Sequence, residues 1–251
     1  ADGIHSALRQ QFYPDEGAPR WNGMMMWRGT TLARPFLDGR TMVQAGHRRA
    51  KFVVYPIEPV RPDGLQRINW ICDRRLREDG FGGGLTAPSR EDWSKPGSLD
   101  DLLPTFGSWR FAWLDVPGLI RAAEQIFEWP MVDRDPLPRW RHGHTTLLGD
   151  AAHPMYPIGS NGATQAILDA AALADALDGH ASITAALNAY EAARLPMTRD
   201  IVAMNRREGL DAILDMVEEA APEGFARIED VTDPTVLAEW VQAYKKAAGH
   251  Q

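Results

Sequence analysis

The sequence predicts an α/β fold, with a sheet-forming segment of antiparallel or mixed strands, then an apolar run ending in a glycine-bearing turn, and helices closing the chain. Three observations carry this. Four strand-like runs separated by turn signals fill residues 21–75. An apolar stretch, Thr145–Leu148, runs into Gly149-Asp150 and a proline-broken, glycine-bearing turn. Everything after Ala163 reads as helix, interrupted at Pro196, Gly209 and Pro222.

Taken in order, a short helix at Ile4–Gln11 opens the chain and leaves through a proline-bearing segment. The strand-like runs are Met24–Thr31, Thr41–Ala45, Lys51–Ile57 and Arg67–Cys72, and Asp38-Gly39 and Asp63-Gly64 mark hairpin turns between them. Residues 76–97 read as loop. The glycine cluster Gly80–Gly84 runs into Leu-Thr-Ala-Pro and not into a helix, so it reads as a flexible loop. Helical spacing predicts helices at Leu99–Phe106 and Pro117–Ile126. A strand follows at Phe127–Val132, then an Asp- and Pro-rich turn at Asp133–Pro136, then a strand at Thr145–Leu148. The later helices span 163–178, 182–206, 208–220 and 234–247.

A chain of 251 residues can bury a real core as one large domain or two smaller ones. The net charge is −7 and the Lys and Arg residues are scattered, which argues against nucleic acid or an anionic membrane surface as partner. No apolar run approaches the roughly 20 residues that span a bilayer. The single cysteine, Cys72, sits in an apolar run and cannot form an internal disulfide, which points to a reducing cytoplasm and a buried strand residue.

The chemistry concentrates at the Gly-Asp turn. Amides at a helix start hold an anion or an electron-rich ring edge, and an Asp ending the preceding strand is placed to bind a sugar hydroxyl. The pair points to a nucleotide-type cofactor, a flavin before others. No G-x-G-x-x-G opens a helix, and no G-x-S-x-G marks a nucleophile. His142 and His144 flank Gly143 and, with His153 or Asp150, offer a metal-dependent hydrolase as a rival reading. Polar strand-edge residues are the commoner outcome of such a pattern.

Three blocks resemble the class A FAD-dependent aromatic hydroxylases, the single-component flavoprotein monooxygenases of the p-hydroxybenzoate hydroxylase type. Gly149, Asp150, Ala151, Ala152 and His153 match that family's Gly-Asp motif. Arg134, Pro136, Trp140 and Gly143 match the pattern before it, and Asp2, Gly3, Ser6 and Arg9 match its Asp-Gly-x-x-Ser-x-x-Arg fingerprint. Within the family, Met25-Met26-Trp27-Arg28-Gly29, Tyr55-Pro56-Ile57, Pro130–Pro138 and Met155-Tyr156-Pro157 are similar to the phenazine hydroxylases.

The resemblance implies a partial FAD/NAD(P)-binding domain (1–20 and 141–180), a substrate domain (21–140) and a C-terminal helical region (181–251). It implies hydroxylation of a small aromatic, phenazine-like substrate with O2, NADPH or NADH as reductant and a flavin C4a-hydroperoxide as oxidant. In that reading Asp150 binds a ribityl hydroxyl. Gly149, Pro157, Gly159, Ser160, Asn161, Gly162 and Ala163 shape the turn and helix start that face the flavin. Asp2, Gly3 and Arg9 help to hold FAD, although Arg9 equally suits a surface cation on a short helix. Trp27, Tyr55 and Trp70 lie on strands that roof the flavin in the family. The family's ADP-binding βαβ unit falls upstream of Ala1, so these residues alone are expected to bind FAD weakly and to be inactive. A non-catalytic flavin-fold or aromatic-binding fragment is the alternative. Two departures stand out. Gly159-Ser160-Asn161-Gly162 replaces a Gly-x-Gly, with Ser160 or Asn161 expected to cap the helix, and His144 stands where relatives carry a longer polar residue.

Overall fold

The computed structural model describes residues 1–80, 85–89, 92–207 and 211–247. Its helices are α1 (Ala7–Phe12), α2 (Leu99–Phe106), α3 (Val116–Arg121), α4 (Gly162–Gly179), α5 (Ile183–Arg206), α6 (Ala212–Ala220) and α7 (Pro234–Ala247). Its strands are β1 (Arg20–Ala33), β2 (Val43–His47), β3 (Ala50–Pro56), β4 (Gln66–Arg75), β5 (Leu85–Thr86), β6 (Arg110–Phe111), β7 (Leu114–Asp115) and β8 (Ile126–Asp133). The fold is mixed α/β. Two compact units emerge, one of Ala1–Asn22, Asp79–Ala87 and Val132–Gln251, the other of Gly23–Glu78 and Pro88–Met131. The second unit is narrower than the span 21–140 set apart from the sequence. Of the glycine cluster expected as a loop, residues 81–84 lie outside the described residues.

The second unit is built on a sheet in which β2, β3, β4 and β1 lie in that order, with β8 also on β1. Every described register in it is antiparallel, as short turns between successive strands require. Directly opposed residues share a face, so the pairs Trp27↔Cys72, Cys72↔Phe52 and Gly29↔Trp70 put these side chains on one side. That side packs against α2, where Phe52 meets Phe106 with ring centroids 6.3 Å apart. Trp70 is fully buried, and its indole N–H donates to Thr31 Oγ1 at 3.0 Å. Gly29 is required there, because a Cβ at that position would come within 2.3 Å of the Trp70 ring. The opposite side carries Met24, Met26, Arg28, Asn69 and Tyr55.

The first unit pairs α4 with α5 over a core of Leu137, Trp140, Leu147, Ala151, Ala152 and Tyr190. Buried residues of α5 recur at Leu187, Tyr190, Arg194, Thr198, Ile201 and Asn205, a helical stripe facing the core. The expected break at Pro196 does not occur. Proline removes one rung, but the stripe is buried on both sides of it and packing holds the helix together.

Two further expectations change. The helix predicted over Pro117–Ile126 stops at Arg121, because Ile126 already belongs to β8 and its carbonyl accepts from Gly97 N at 2.9 Å. The strand predicted at Thr145–Leu148 is extended chain with a single bridge, His142↔Thr145. A strand needs a ladder partner. Here Leu147 N donates to Trp140 O, and Leu147 O accepts from the Tyr190 hydroxyl.

Candidate functional site

The Gly-Asp turn begins where extended Leu148 gives way to a 3-10 turn at Gly149–Ala151. Gly149 has φ +58°, which glycine adopts without strain. Both Ala152 N and His153 N donate back to Gly149 O, closing the turn. Asp150 is exposed and makes no hydrogen bond or ion pair with any described residue. Helix α4 starts at Gly162, one residue before the expected Ala163, and a Cβ on Gly162 would sit 3.9 Å from Asp150 Oδ1. The carboxylate and the helix start therefore lie side by side.

The approach to α4 is unusual. Gly159 has φ +74° and Ser160 φ +56°, so two consecutive residues occupy the left-handed region. For serine this costs about 1 kcal/mol or more, and such outliers concentrate at ligand-binding positions. Neither Ser160 nor Asn161 caps the helix, contrary to expectation; Asn161 is itself helical in φ and ψ and lacks the extended backbone typical of an N-cap. The first turn of an 18-residue helix is left with uncapped N–H groups beside an unpartnered carboxylate. Donors for a ring edge and an acceptor for a hydroxyl are what a flavin requires, and this chain supplies both.

The Asp-Gly-x-x-Ser-x-x-Arg block explains itself locally. Gly3 has φ +79°, and its carbonyl accepts from Ser6 N. A hydrogen bond with the Ser6 side chain, and after it the one accepted from Ala7 N at 2.8 Å, hold the Asp2 carboxyl below the usual carboxylate range. Ser6 Oγ accepts from Arg9 N, capping α1. Arg9 is 1% exposed, so it is no surface cation. Its guanidinium donates to Ala151 O and Ala152 O at 3.1 and 2.9 Å, to Asp135 O at 2.9 Å and to Glu16. All five N–H donors are engaged, and the residue ties α1 to the carbonyl end of the Gly-Asp turn.

Sequence reasoning missed the side chains behind the turn. Buried Asp169, on α4, accepts from Gly149 N at 2.9 Å and from His153 Nε2 at 2.6 Å through one oxygen, and from Arg194 Nε at 2.8 Å through the other. Arg194 also donates to Gln165 Oε1 at 2.6 Å. Burial pushes the Asp169 carboxyl up, but these three donors outweigh it and hold it below the usual range. The available signal was a charged residue in the apolar stripe of α5.

The expected substrate residues are not brought together. Trp27 and Trp70 face the helix-covered side of the sheet, and Trp27 donates to Glu128 Oε2 at 3.0 Å. Tyr55 lies on the other side with Asn69 and Arg28, and Arg28 Nε donates to Asn69 Oδ1 at 2.7 Å. Asn69 is fully buried and its amide nitrogen has no partner. A cavity of about 400 Å³ in this unit is lined by Thr31, Phe36, Ile68 and Trp113 among others, and by none of the three expected residues.

The histidines are engaged apart. His142 stacks on Phe12 with centroids 4.0 Å apart and lies 3.2 Å from the Tyr13 hydroxyl; burial, then Arg139, lowers its pKa. His153 is bound to Asp169. Among the described residues no three His, Cys, Asp or Glu side chains group closely enough to hold a metal. Cys72 is buried in β4, and burial raises its thiol pKa. No helix of the described residues is long and apolar enough to cross a membrane.

Residues 117–205 match the FAD binding domain family. The chain is 47% identical over 208 residues to the phenazine 1,6-dicarboxylic acid hydroxylase PhzS of Lysobacter antibioticus, covering 82% of this chain and 50% of that protein. It is 37% identical over 214 residues to the 3-amino-4-hydroxybenzoate 2-monooxygenase PtmB3 of Streptomyces platensis, covering 83% and 49%. The chain thus spans about half the length of the curated relatives it matches. Its fold is similar to that of a salicylate hydroxylase substrate complex, with TM-score 0.68 and 22% identity over 99% of this chain and 62% of that one. It is likewise similar to HpxO of Klebsiella pneumoniae complexed with FAD and uric acid, with TM-score 0.63 and 22% identity over 100% and 55%. By motif, sequence and fold, this chain belongs to the class A FAD-dependent aromatic hydroxylase family.

Proposed function

We propose that this chain is the flavin-facing and substrate-recognising part of an FAD-dependent monooxygenase that hydroxylates a small aromatic acid, with NADPH or NADH as reductant. One observation carries the reading: the unpartnered Asp150 carboxylate lies beside the uncapped start of α4. When bound, the flavin supplies the oxygen-activating chemistry.

The chain's own residues have defined tasks. Asp150 accepts a hydrogen bond from a cofactor hydroxyl. The amides at Gly162 and Ala163, at the positive end of the helix, stabilise negative charge on an electron-rich ring edge. Arg9 holds the carbonyl side of the turn in place. On the sheet, Arg28 is exposed and bonded through Nε alone among the described residues, which leaves its Nη groups to bind a carboxylate or phenolate. Tyr55 on the same face offers a flat wall for an aromatic ring. The identity to a phenazine dicarboxylate hydroxylase favours a tricyclic or bicyclic aromatic acid as substrate.

The test is a panel of phenazine carboxylates and hydroxybenzoates presented to the purified full-length enzyme that carries this chain, with FAD and reduced nicotinamide under ¹⁸O₂. The reading expects substrate-stimulated nicotinamide oxidation and one ¹⁸O atom in the product. Nicotinamide oxidation without labelled product for every aromatic would contradict it.

A further inference from the structure

One buried oxygen grips both ends of the turn that presents Asp150. Asp169 Oδ2 accepts from Gly149 N at 2.9 Å, at the start of the turn, and from His153 Nε2 at 2.6 Å, at its end. Asp169 is fully buried and His153 is 3% exposed, so neither bond competes with solvent. Arg194 Nε on the other oxygen keeps the carboxylate ionised, and Gln165 fixes Arg194 through its side-chain and backbone oxygens. An ionised carboxylate only accepts, so the His153 nitrogen facing it carries the proton. The other ring nitrogen, Nδ1, is buried without a partner. A proton there would bury an unmatched N–H and a second positive charge beside Arg194; a lone pair is far less costly.

We propose that Asp169 and His153 form a positioning pair for the cofactor turn: ionised Asp169 pins the Gly149 amide and holds His153 as the neutral Nε2–H tautomer, so that residues 149–153 present Asp150 in one orientation. The proposal deepens the flavin reading and rests on it for its effect on affinity, but its structural core does not need the flavin. Neither residue touches the cofactor in this account. Each acts through the turn.

Two measurements test it. Long-range ¹H–¹⁵N correlation spectra of the histidine rings at pH 7 read the His153 tautomer directly; the expected result is a protonated Nε2 and a bare Nδ1. FAD titrations then compare His153→Gln, whose amide nitrogen reaches the Nε2 position, with His153→Asn, whose amide mimics Nδ1 and leaves Asp169 unmet. His153→Gln should bind FAD within about threefold of the parent and His153→Asn at least about tenfold more weakly, the scale set by small misplacements of a positioned group. A protonated Nδ1 in the parent, or His153→Asn binding FAD as well as the parent, would overturn the proposal. Should His153→Asn fail to fold, the tautomer still decides it. These titrations use the full-length enzyme that carries this chain; should that parent itself not bind FAD while His153 is the Nε2–H tautomer, the flavin reading fails and the pair stands.

Discussion

The Gly-Asp turn of the first unit and the sheet core of the second are held by different means. In the sheet unit, Phe52 packs against the rings of Trp70 and Phe106, and polar support comes from separate contacts such as Trp70 to Thr31 and the buried ion pair of Lys51 with Asp73. Around the turn, Arg9, Asp169 and Arg194 bury charge, with Glu16 and His153 as their hydrogen-bond partners, and each donor is aimed at a named acceptor. Ring packing is close but its attraction is non-directional, whereas charge-assisted bonds are directional and fix which way a group points. A region that must present one carboxylate and a row of amides to a ligand needs the second kind of support.

That contrast can be broken in several ways. Replacing Arg194 with Leu strands the buried Asp169 charge and should cost about 3–5 kcal/mol. Trp70→Ala should cost a similar amount by opening a cavity, again about 3–5 kcal/mol. Chemical denaturation will show equal losses, and FAD titration will separate them: Trp70→Ala leaves affinity within about twofold, while Arg194→Leu weakens it at least about tenfold. If both variants behave alike toward FAD, the turn has no special support.

Gly29→Ala is a smaller perturbation of the sheet. Its Cβ would meet the Trp70 ring at 2.3 Å, and overpacking of this kind costs about 1–3 kcal/mol. The check is a drop in the urea midpoint without loss of FAD binding.

Acid sharpens the comparison from the other side. The folded Asp169 carboxyl lies below its unfolded value of about 3.9, so its contribution is present above about pH 4 and is lost as pH falls through the lower folded value. Urea midpoints from pH 6 to pH 3 should therefore fall more steeply for the parent than for Asp169→Asn. Parallel slopes would remove Asp169 from the acid response. The smallest effect is expected at Ser160. Replacing it with Gly relieves its positive φ and should raise stability by no more than about 1 kcal/mol, read as a modest increase in melting temperature.

Much of the sheet was legible because alternation and turn residues act over a few positions. Arg67–Cys72 lies within β4 and Lys51–Ile57 overlaps β3, since each run is apolar enough to be buried and is bounded by Gly or Asp. Which side of the sheet Trp27 and Trp70 occupy was not legible. Alternation says which residues of one strand share a face, but only the register Gly29↔Trp70 places the two tryptophans together against the helices. The Gly-Asp turn and the following helix start were readable from local chemistry. The supporting network was not, because Asp169 and Arg194 are 25 positions apart and meet only when α4 packs on α5. The extended Thr145–Leu148 stretch misled for the same reason: its apolar residues are buried as a strand's would be, yet its backbone bonds go to Trp140 and Tyr190.

The account rests most heavily on Asp150 and the start of α4 acting on one ligand. Asp150→Asn isolates it, since the residue is exposed and bonded to no described partner, so stability should change by less than about 0.5 kcal/mol. In the full-length enzyme that carries this chain, FAD titration followed by flavin fluorescence should show affinity weakened at least about tenfold at unchanged melting temperature, the loss of one charge-assisted bond. Equal FAD affinity for Asp150→Asn and its parent would contradict the account.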